Sequence, residues 1–377
     1  MKSSILIDLI ATQPSPEARF HGGGEYAKFI FMEAVKSKTF DCIYNPNLIL
    51  DPEIEKSCIK YNIKKYQAES LDDIKKIIND NNYDFFYSAI PYYYGNLNMN
   101  NCHFIMTIHG LRDIESPNDE TEIMYRTGVV SVLKLRIRNL FFKKRKEKRS
   151  YKGVNSLLSL KNRTIITDSE HSKYSILSLF PKLDNNSIKV IYAPYKTLTS
   201  PQVNSNYEDI KKKYFLLISG NRWIKNNFRA IKAFDSLFSE GKLKGKKVVV
   251  IGVKNMPKLQ NVTNINNFIF IDYLCENEFS WFFKNAFSFV YPSLNEGYGY
   301  PPLHAMSYGV PTIASAITSI PEVCSNAVLY FNPFSINEIK NRILQINDNL
   351  ELYTDLQEKG RQRIKEILEK QNDINKD

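Results

Sequence analysis

Glu296 opens a stretch, 295-NEGYGYPPLHAMSYGVPTIAS-315, that a plain core helix would not need. Pro301 and Pro302 suit a helix start, where a fixed φ and a missing N–H cost nothing. Gly297 and Gly299, with Tyr298 between them, let the backbone approach a ligand closely. The helix N-terminus presents free N–H groups and partial positive charge to an anion, and Glu296 can accept hydrogen bonds from hydroxyls. Together these groups suit a phosphate with a sugar attached. A second loop, 219-SGNRWIKNNFRAIKAF-234, places Arg222 and Lys225 three residues apart just after Gly220. Two fixed cations there can neutralise a diphosphate as it leaves. Taken alone, each loop also reads as a tight turn carrying surface charge.

These residues need a scaffold, and the hydrophobic pattern supplies one. Near-continuous apolar runs at 4–10, 41–45, 84–90, 103–109, 164–169 and 188–193 alternate with helical stretches at 24–37, 71–81 and 170–180. The alternation repeats, with apolar runs at 214–220, 246–253, 268–272, 287–293 and 310–315 between helical patterns at 226–241, 276–286, 302–309 and 335–348. Such runs between amphipathic helices predict parallel sheets covered on both faces. The polar, proline-containing segment 194–213 separates the two runs. The expectation is an α/β protein of two Rossmann-like doubly wound domains, roughly 1–195 and 205–360, facing a cleft, with a charged helix and tail over 361–377.

In this order, the two loops resemble the family 4 glycosyltransferases (glycosyl transferases group 1) of the GT-B fold. The carrying segments are 220-GNRWIKN-226, 296-EGYGYPPLHAMSYGVP-311, 315-SAITSIPEV-323 and 326-NAVLYFNP-333, which cover most of the second domain. The resemblance implies a retaining transferase that moves a hexose from a nucleotide sugar to a glycan or lipid-linked acceptor in cell-surface polysaccharide synthesis, with no metal and no cofactor. It implies that Glu296 contacts the donor hexose, that Arg222 and Lys225 hold the diphosphate, and that Gly220, Gly297, Tyr298 and Gly299 line the donor. The family's second glutamate, seven residues beyond the first, is His304 here. A neutral imidazole has one donor and one acceptor where a carboxylate accepts twice. His304 either keeps one hydrogen bond to the ribose or fills space on its helix. In the first domain, 20-FHGGGEYAK-28 resembles the family's glycine-rich loop and puts Gly22 and Gly23 near the ligands. The segment 105-IMTIHGLRD-113 resembles the one whose histidine, His109 here, lies near the transferred sugar. In 166-ITDSEHSKYSI-176, Ser169 is a helix N-cap candidate. A nucleotide-sugar epimerase or hydrolase and a non-catalytic nucleotide-sugar-binding subunit are the competing readings.

Composition narrows the field. The chain has 377 residues, 43% hydrophobic and 24% charged, enough for two ordinary cores. Its apolar runs fall well short of the ~20 residues of a membrane span, and the first of them carries Asp8, which reads as a buried strand and not a signal peptide. The five cysteines form no C-x-x-C pair and the five histidines no metal-binding helix pair, which fits a cytoplasmic protein without a built metal site. The net charge of +11 is densest in 134-KLRIRNLFFKKRKEKRSYK-152, where Glu147 is the lone acid. This run reads either as a solvated helix face or, with Leu140, Phe141 and Phe142 among its charges, as an interfacial helix for an anionic membrane surface. No recognition motif supports nucleic acid.

Overall fold

The computed structural model describes the chain apart from residues 1–3, 14–21, 38, 98, 100, 117–118, 196–200, 202–204, 254–261 and 375–377. Phe20 and His21 of the glycine-rich segment, and parts of the 194–213 segment and the C-terminal tail, therefore lie outside the described residues. The chain divides into two compact units, Met1–Ile114 with Arg145–Pro194, and Glu115–Lys144 with Tyr195–Asp377.

The first unit is built on β1 (Ile5–Asp8), β2 (Phe40–Tyr44), β3 (Lys65–Gln67), β4 (Phe85–Ser88), β5 (His103–Thr107), β6 (Arg163–Thr167) and β7 (Ile188–Val190). Their order is β3-β2-β1-β4-β5-β6-β7, and every pair is parallel. Phe86 on β4 and Phe104 on β5 stack with ring centroids 5.2 Å apart at the centre of the core. Local chemistry sets the helices between strands. Ser70 and Asp73 form a reciprocal capping box for Leu71–Asn81, which ends at Asn82 in the left-handed region. Asp51 caps Pro52–Lys60, whose first residue is the proline. The sequence pattern shows neither that helix nor β3, because β3 is a three-residue edge strand with no buried residue and leaves no apolar run to read.

The second unit is built on β8 (Tyr214–Leu217), β9 (Lys247–Ile251), β10 (Phe268–Ile271), β11 (Ser288–Tyr291), β12 (Thr312–Ser315) and β13 (Val328–Phe331), ordered β10-β9-β8-β11-β12-β13. Every residue of β8, β11 and β12 is buried, as both faces carry helices. The order reverses between β8 and β11, so the crevice beyond their carboxyl ends is the natural ligand position in this sheet.

Residues 115–144, which the sequence pattern places in the first domain, pack with the second unit. The cause is a set of polar contacts to the helix Asn227–Ser239. Asp119, 6% exposed, receives Arg229 through both terminal nitrogens at 2.6 and 2.9 Å. Tyr125 Oη accepts from Phe228 N at 2.8 Å, satisfying a backbone donor in the helix's first turn. Burial alone would raise the Asp119 pKa. The hydrogen bonds from Arg229 and the Thr121 N–H outweigh it and hold the carboxyl below its ordinary value.

Candidate active site

Beyond β8, the chain turns through Ser219, with φ 53°, into Gly220, whose N–H bonds Ile251 O at 2.9 Å. A Cβ on Gly220 would overlap the Val253 side chain, so this turn needs glycine. A 3-10 turn, Trp223–Lys225, follows and ends at Asn226 in the left-handed region, from which the helix Asn227–Ser239 starts. Asn226 is held on both sides. Its Nδ2 donates to Pro333 O at 2.7 Å, and Arg229 donates to its Oδ1 at 2.9 Å. This construction buries Lys225 while leaving Arg222 exposed on the same loop.

Beyond β11, Pro292 and Ser293 lead into the loop that carries Glu296 and turns at Gly299, φ 100°, into the helix Tyr300–Ser307 with Pro301 and Pro302 in its first turn. The loop backbone is held from the side. Thr318 Oγ1 accepts from Glu296 N at 3.1 Å, and Ser319 Oγ lies 3.0 Å from both Glu296 O and Tyr298 O.

The two loops meet at Lys225 and Glu296. Lys225 Nζ lies 2.5 Å from Glu296 Oε1, with the residues 7% and 9% exposed. The same oxygen accepts from Tyr291 Oη at 2.7 Å and from Ser293 Oγ, while Tyr291 Oη accepts from Lys225 Nζ at 2.8 Å. A buried charge is costly unless paired and hydrogen-bonded, and here both conditions hold. The arrangement puts an ammonium, a carboxylate and a phenol at the point where the sheet order reverses. Lys225 and Glu296 are thus brought together, while Gly220 and the Gly297–Tyr298–Gly299 turn lie on the loops that carry them. Tyr291 and Ser293 escape sequence reading because they sit in an apolar strand run that reads as core.

The first unit groups its own residues at the carboxyl ends of its strands. His109, after β5, places Nδ1 2.8 Å from Asp168 Oδ2, and Asp168 is buried. A carboxylate only accepts, so Nδ1 carries the hydrogen of this bond. Tyr26 packs edge-on against the imidazole with centroids 4.8 Å apart. Ser169 caps the helix Glu170–Leu179, and Ser172 on that helix donates to His109 O at 3.2 Å. Gly22 and Gly23 form the first turn of the helix Gly22–Ala34. A Cβ on Gly23 would crowd Ile90 and come within 3.7 Å of His109 Cδ2, whereas one on Gly22 would meet open space. Asp168 went unread because it precedes a serine whose capping role explains the motif by itself.

His304 sits among aromatic rings, 5.6 Å from Tyr195, 6.0 Å from Phe283 and 6.4 Å from Tyr300 by centroid. Its Nδ1 is buried without a partner among the described residues. Burial lowers its pKa from 6.5 to about 4, so the ring is neutral at neutral pH. The fold favours the uncharged ring, so its contribution to stability is intact above pH 6.5 and is lost as pH falls toward about 4. His304→Leu should remove that acid limb. The wild-type-minus-variant stability, from urea unfolding at successive pH values, should slope by up to about 1.4 kcal/mol per pH unit in this window. Parallel pH profiles would contradict the buried neutral ring.

Residues 202–363 match the family described as Glycosyl transferases group 1. The O-antigen chain mannosyltransferase B of Escherichia coli is 41% identical over 76 residues, 20% of each chain. The O-antigen chain mannosyltransferase RfbU of Salmonella typhimurium is 29% identical over 174 residues, 45% of this chain and 46% of that one. The matched stretches thus span less than half the length of these curated relatives. Among solved structures, sucrose-phosphate synthase (tll1590) from Thermosynechococcus elongatus superposes with a TM-score of 0.69 at 13% identity, covering 97% of this chain and 95% of that one. Anabaena HepE in complex with UDP-glucose gives 0.66 at 11% identity, covering 99% and 100%. The two parallel-sheet units are those of the GT-B fold. The stretch that matches the glycosyl transferases group 1 family, residues 202–363, includes both loops, the one that carries Lys225 and the one that carries Glu296.

Proposed function

We propose that the protein is a retaining hexosyltransferase that uses a nucleotide-sugar donor and a glycan or lipid-linked acceptor in cell-surface polysaccharide synthesis. The observation that carries this reading is the buried Lys225–Glu296 pair at the point where the second sheet reverses order. The diphosphate is met by Arg222, Lys225 and the N-terminus of Tyr300–Ser307, and Glu296 takes a hexose hydroxyl. These groups stabilise charge developing on the leaving phosphate, a task that asks for neither a metal ion nor a cofactor. With no carboxylate assigned as nucleophile, the reaction is a same-face substitution in which the leaving phosphate oxygen takes the acceptor proton. Within the first unit, Asp168 holds His109, the residue that the family resemblance links to the transferred sugar.

The donor reading is tested by thermal shift and hydrolysis with UDP-, GDP-, ADP- and dTDP-hexoses. One donor class should stabilise the wild type and be slowly hydrolysed, and Lys225→Ala should keep the fold and lose turnover by on the order of 10²-fold. Fast turnover of donor without acceptor would favour an epimerase or hydrolase, and binding without any turnover a binding subunit. Wild-type activity in Lys225→Ala would sink the assignment.

We further propose a peripheral site on an anionic membrane surface at the cytoplasmic face. Among the described residues no helix is long and apolar enough to cross a membrane. The helical stretch through Val129–Ile137, Arg138–Phe142 and Lys143–Leu158 instead exposes Val129, Leu133, Leu140 and Phe141, the last two at 76% and 75%. Exposed Lys134, Arg136, Lys144, Arg145, Lys148 and Arg149 lie along the same stretch. Apolar rings and cations together suit an interface of acyl chains and anionic headgroups. The protein should co-sediment with phosphatidylglycerol vesicles at low salt, and Leu140→Ser/Phe141→Ser should weaken this. No sedimentation of the wild type would remove the proposal.

A further inference from the structure

We propose that Tyr93 is a stacking platform for a pyranose ring of the acceptor, so that the acceptor is a glycan recognised through one of its sugars. The acceptor role rests on the transferase reading above. Tyr93 is 81% exposed, in the 3-10 turn Pro91–Tyr93 that follows β4 at the carboxyl edge of the first sheet. Single exposed aromatic residues are common and need no ligand to explain them. What sets this one apart is how its turn is held. Pro91 is buried and has a fixed φ at the first position of the turn. Tyr92 Oη donates to the carbonyl of Gly110, the residue after His109, at 2.8 Å. Tyr94, 5% exposed, donates from Oη to Asp8 Oδ2 at 2.9 Å. Asp8 is itself fixed at the end of β1, where it accepts from Ser88 Oγ at 2.7 Å and from Ile10 N at 2.8 Å. Just beyond the turn, Ser156 Oγ donates to Gly95 O at 2.6 Å, and a Cβ on Gly95 would lie 3.2 Å from Gly153 O.

Both neighbours of Tyr93 thus bond their hydroxyls to the protein, and the ring between them stands out in solvent. Leaving a large ring in water forgoes the free energy of burying it. A backbone already fixed lowers the ordering cost that a ligand would otherwise meet. A tyrosine in that setting offers rigid, amphipathic contact area, the use that binding surfaces make of aromatic rings. The Tyr92 bond also ties the turn to the chain within one residue of His109, so a ligand lying on Tyr93 shares the loop cluster of that residue. The surroundings select the class of ligand. The exposed residues beside Tyr93 in its loop are Tyr92 and Asn96, and exposed Arg112 and Asp113 follow Gly110. An acyl chain needs a continuous apolar surface. A pyranose needs one face of C–H groups covered and its rim hydroxyls left to water or polar side chains. One bare ring among polar groups fits the pyranose.

The test is a saturation-transfer NMR titration of the full chain with the methyl glycosides of α-mannose, β-glucose, β-galactose and N-acetyl-β-glucosamine. It compares wild type with Tyr93→Ala, Tyr93→Leu and Tyr93→Trp. At least one glycoside should bind the wild type, with saturation strongest at its ring C–H protons. Tyr93→Ala should weaken that glycoside roughly tenfold. Tyr93→Leu keeps apolar bulk without a ring face and should weaken it too, whereas Tyr93→Trp restores a face and should bind it at least as tightly as wild type. The proposal is overturned if no glycoside binds the wild type, if Tyr93→Ala and Tyr93→Leu bind as wild type does, or if Tyr93→Trp binds as weakly as Tyr93→Ala. Should Tyr93→Ala lose its cooperative melt, the contrast between Tyr93→Leu and Tyr93→Trp decides. No nucleotide sugar takes part, so a negative result here leaves the donor reading standing. Glycoside binding that depends on the Tyr93 ring, alongside a failed donor panel, would keep the sugar platform and overturn its acceptor role.

Discussion

A lysine and a glutamate buried within hydrogen-bond reach of each other constrain most of the second unit. Either charge would be costly there alone, so the fold favours bringing together two loops some 70 residues apart in the chain. Each loop is held for that purpose. Asn226 and Gly220 fix the first from beneath, through Pro333 O and the close approach to Val253. Thr318 and Ser319 hold the backbone of the second, and Gly299 supplies its turn. The buried strands β8 and β11 place both loops where the sheet reverses order.

The same constraint reaches into residues 115–144. Arg229, which hydrogen-bonds Asn226, is itself neutralised by Asp119, and Tyr125 satisfies the Phe228 N–H. Removing Asp119 would strand a guanidinium one helical turn from the loop that positions Lys225. This chain of contacts explains why a segment that follows the fifth strand of the first sheet packs on the second unit instead.

Much of this was legible in the sequence, and the illegible part has physical causes. Strands such as Tyr214–Leu217 and Ser288–Tyr291 are buried on both faces and so read as continuous apolar runs. Glu296 and Lys225 were singled out only by the two loops taken together and in order, since each loop alone also reads as a tight turn carrying surface charge. Tyr291, Ser293 and Asp168 were not, since a tyrosine or serine at a strand end and an acid before an N-cap each have an ordinary structural explanation. The packing of 115–144 depends on long-range pairs such as Asp119–Arg229, which leave no local pattern. His304 shows a further limit. Its position in the motif left a ribose hydrogen bond and a space-filling role both open, and its surroundings, Tyr195, Phe283 and Tyr300, include residues distant in sequence.

The central claim is that the donor seats at the second unit by engaging Lys225 and Glu296 separately. The most direct measurement is a crystal structure with a non-hydrolysable nucleotide sugar bound. The account predicts the diphosphate on Lys225 and a hexose hydroxyl on Glu296. A nucleotide sugar bound elsewhere, or bound with neither side chain in contact, would contradict it.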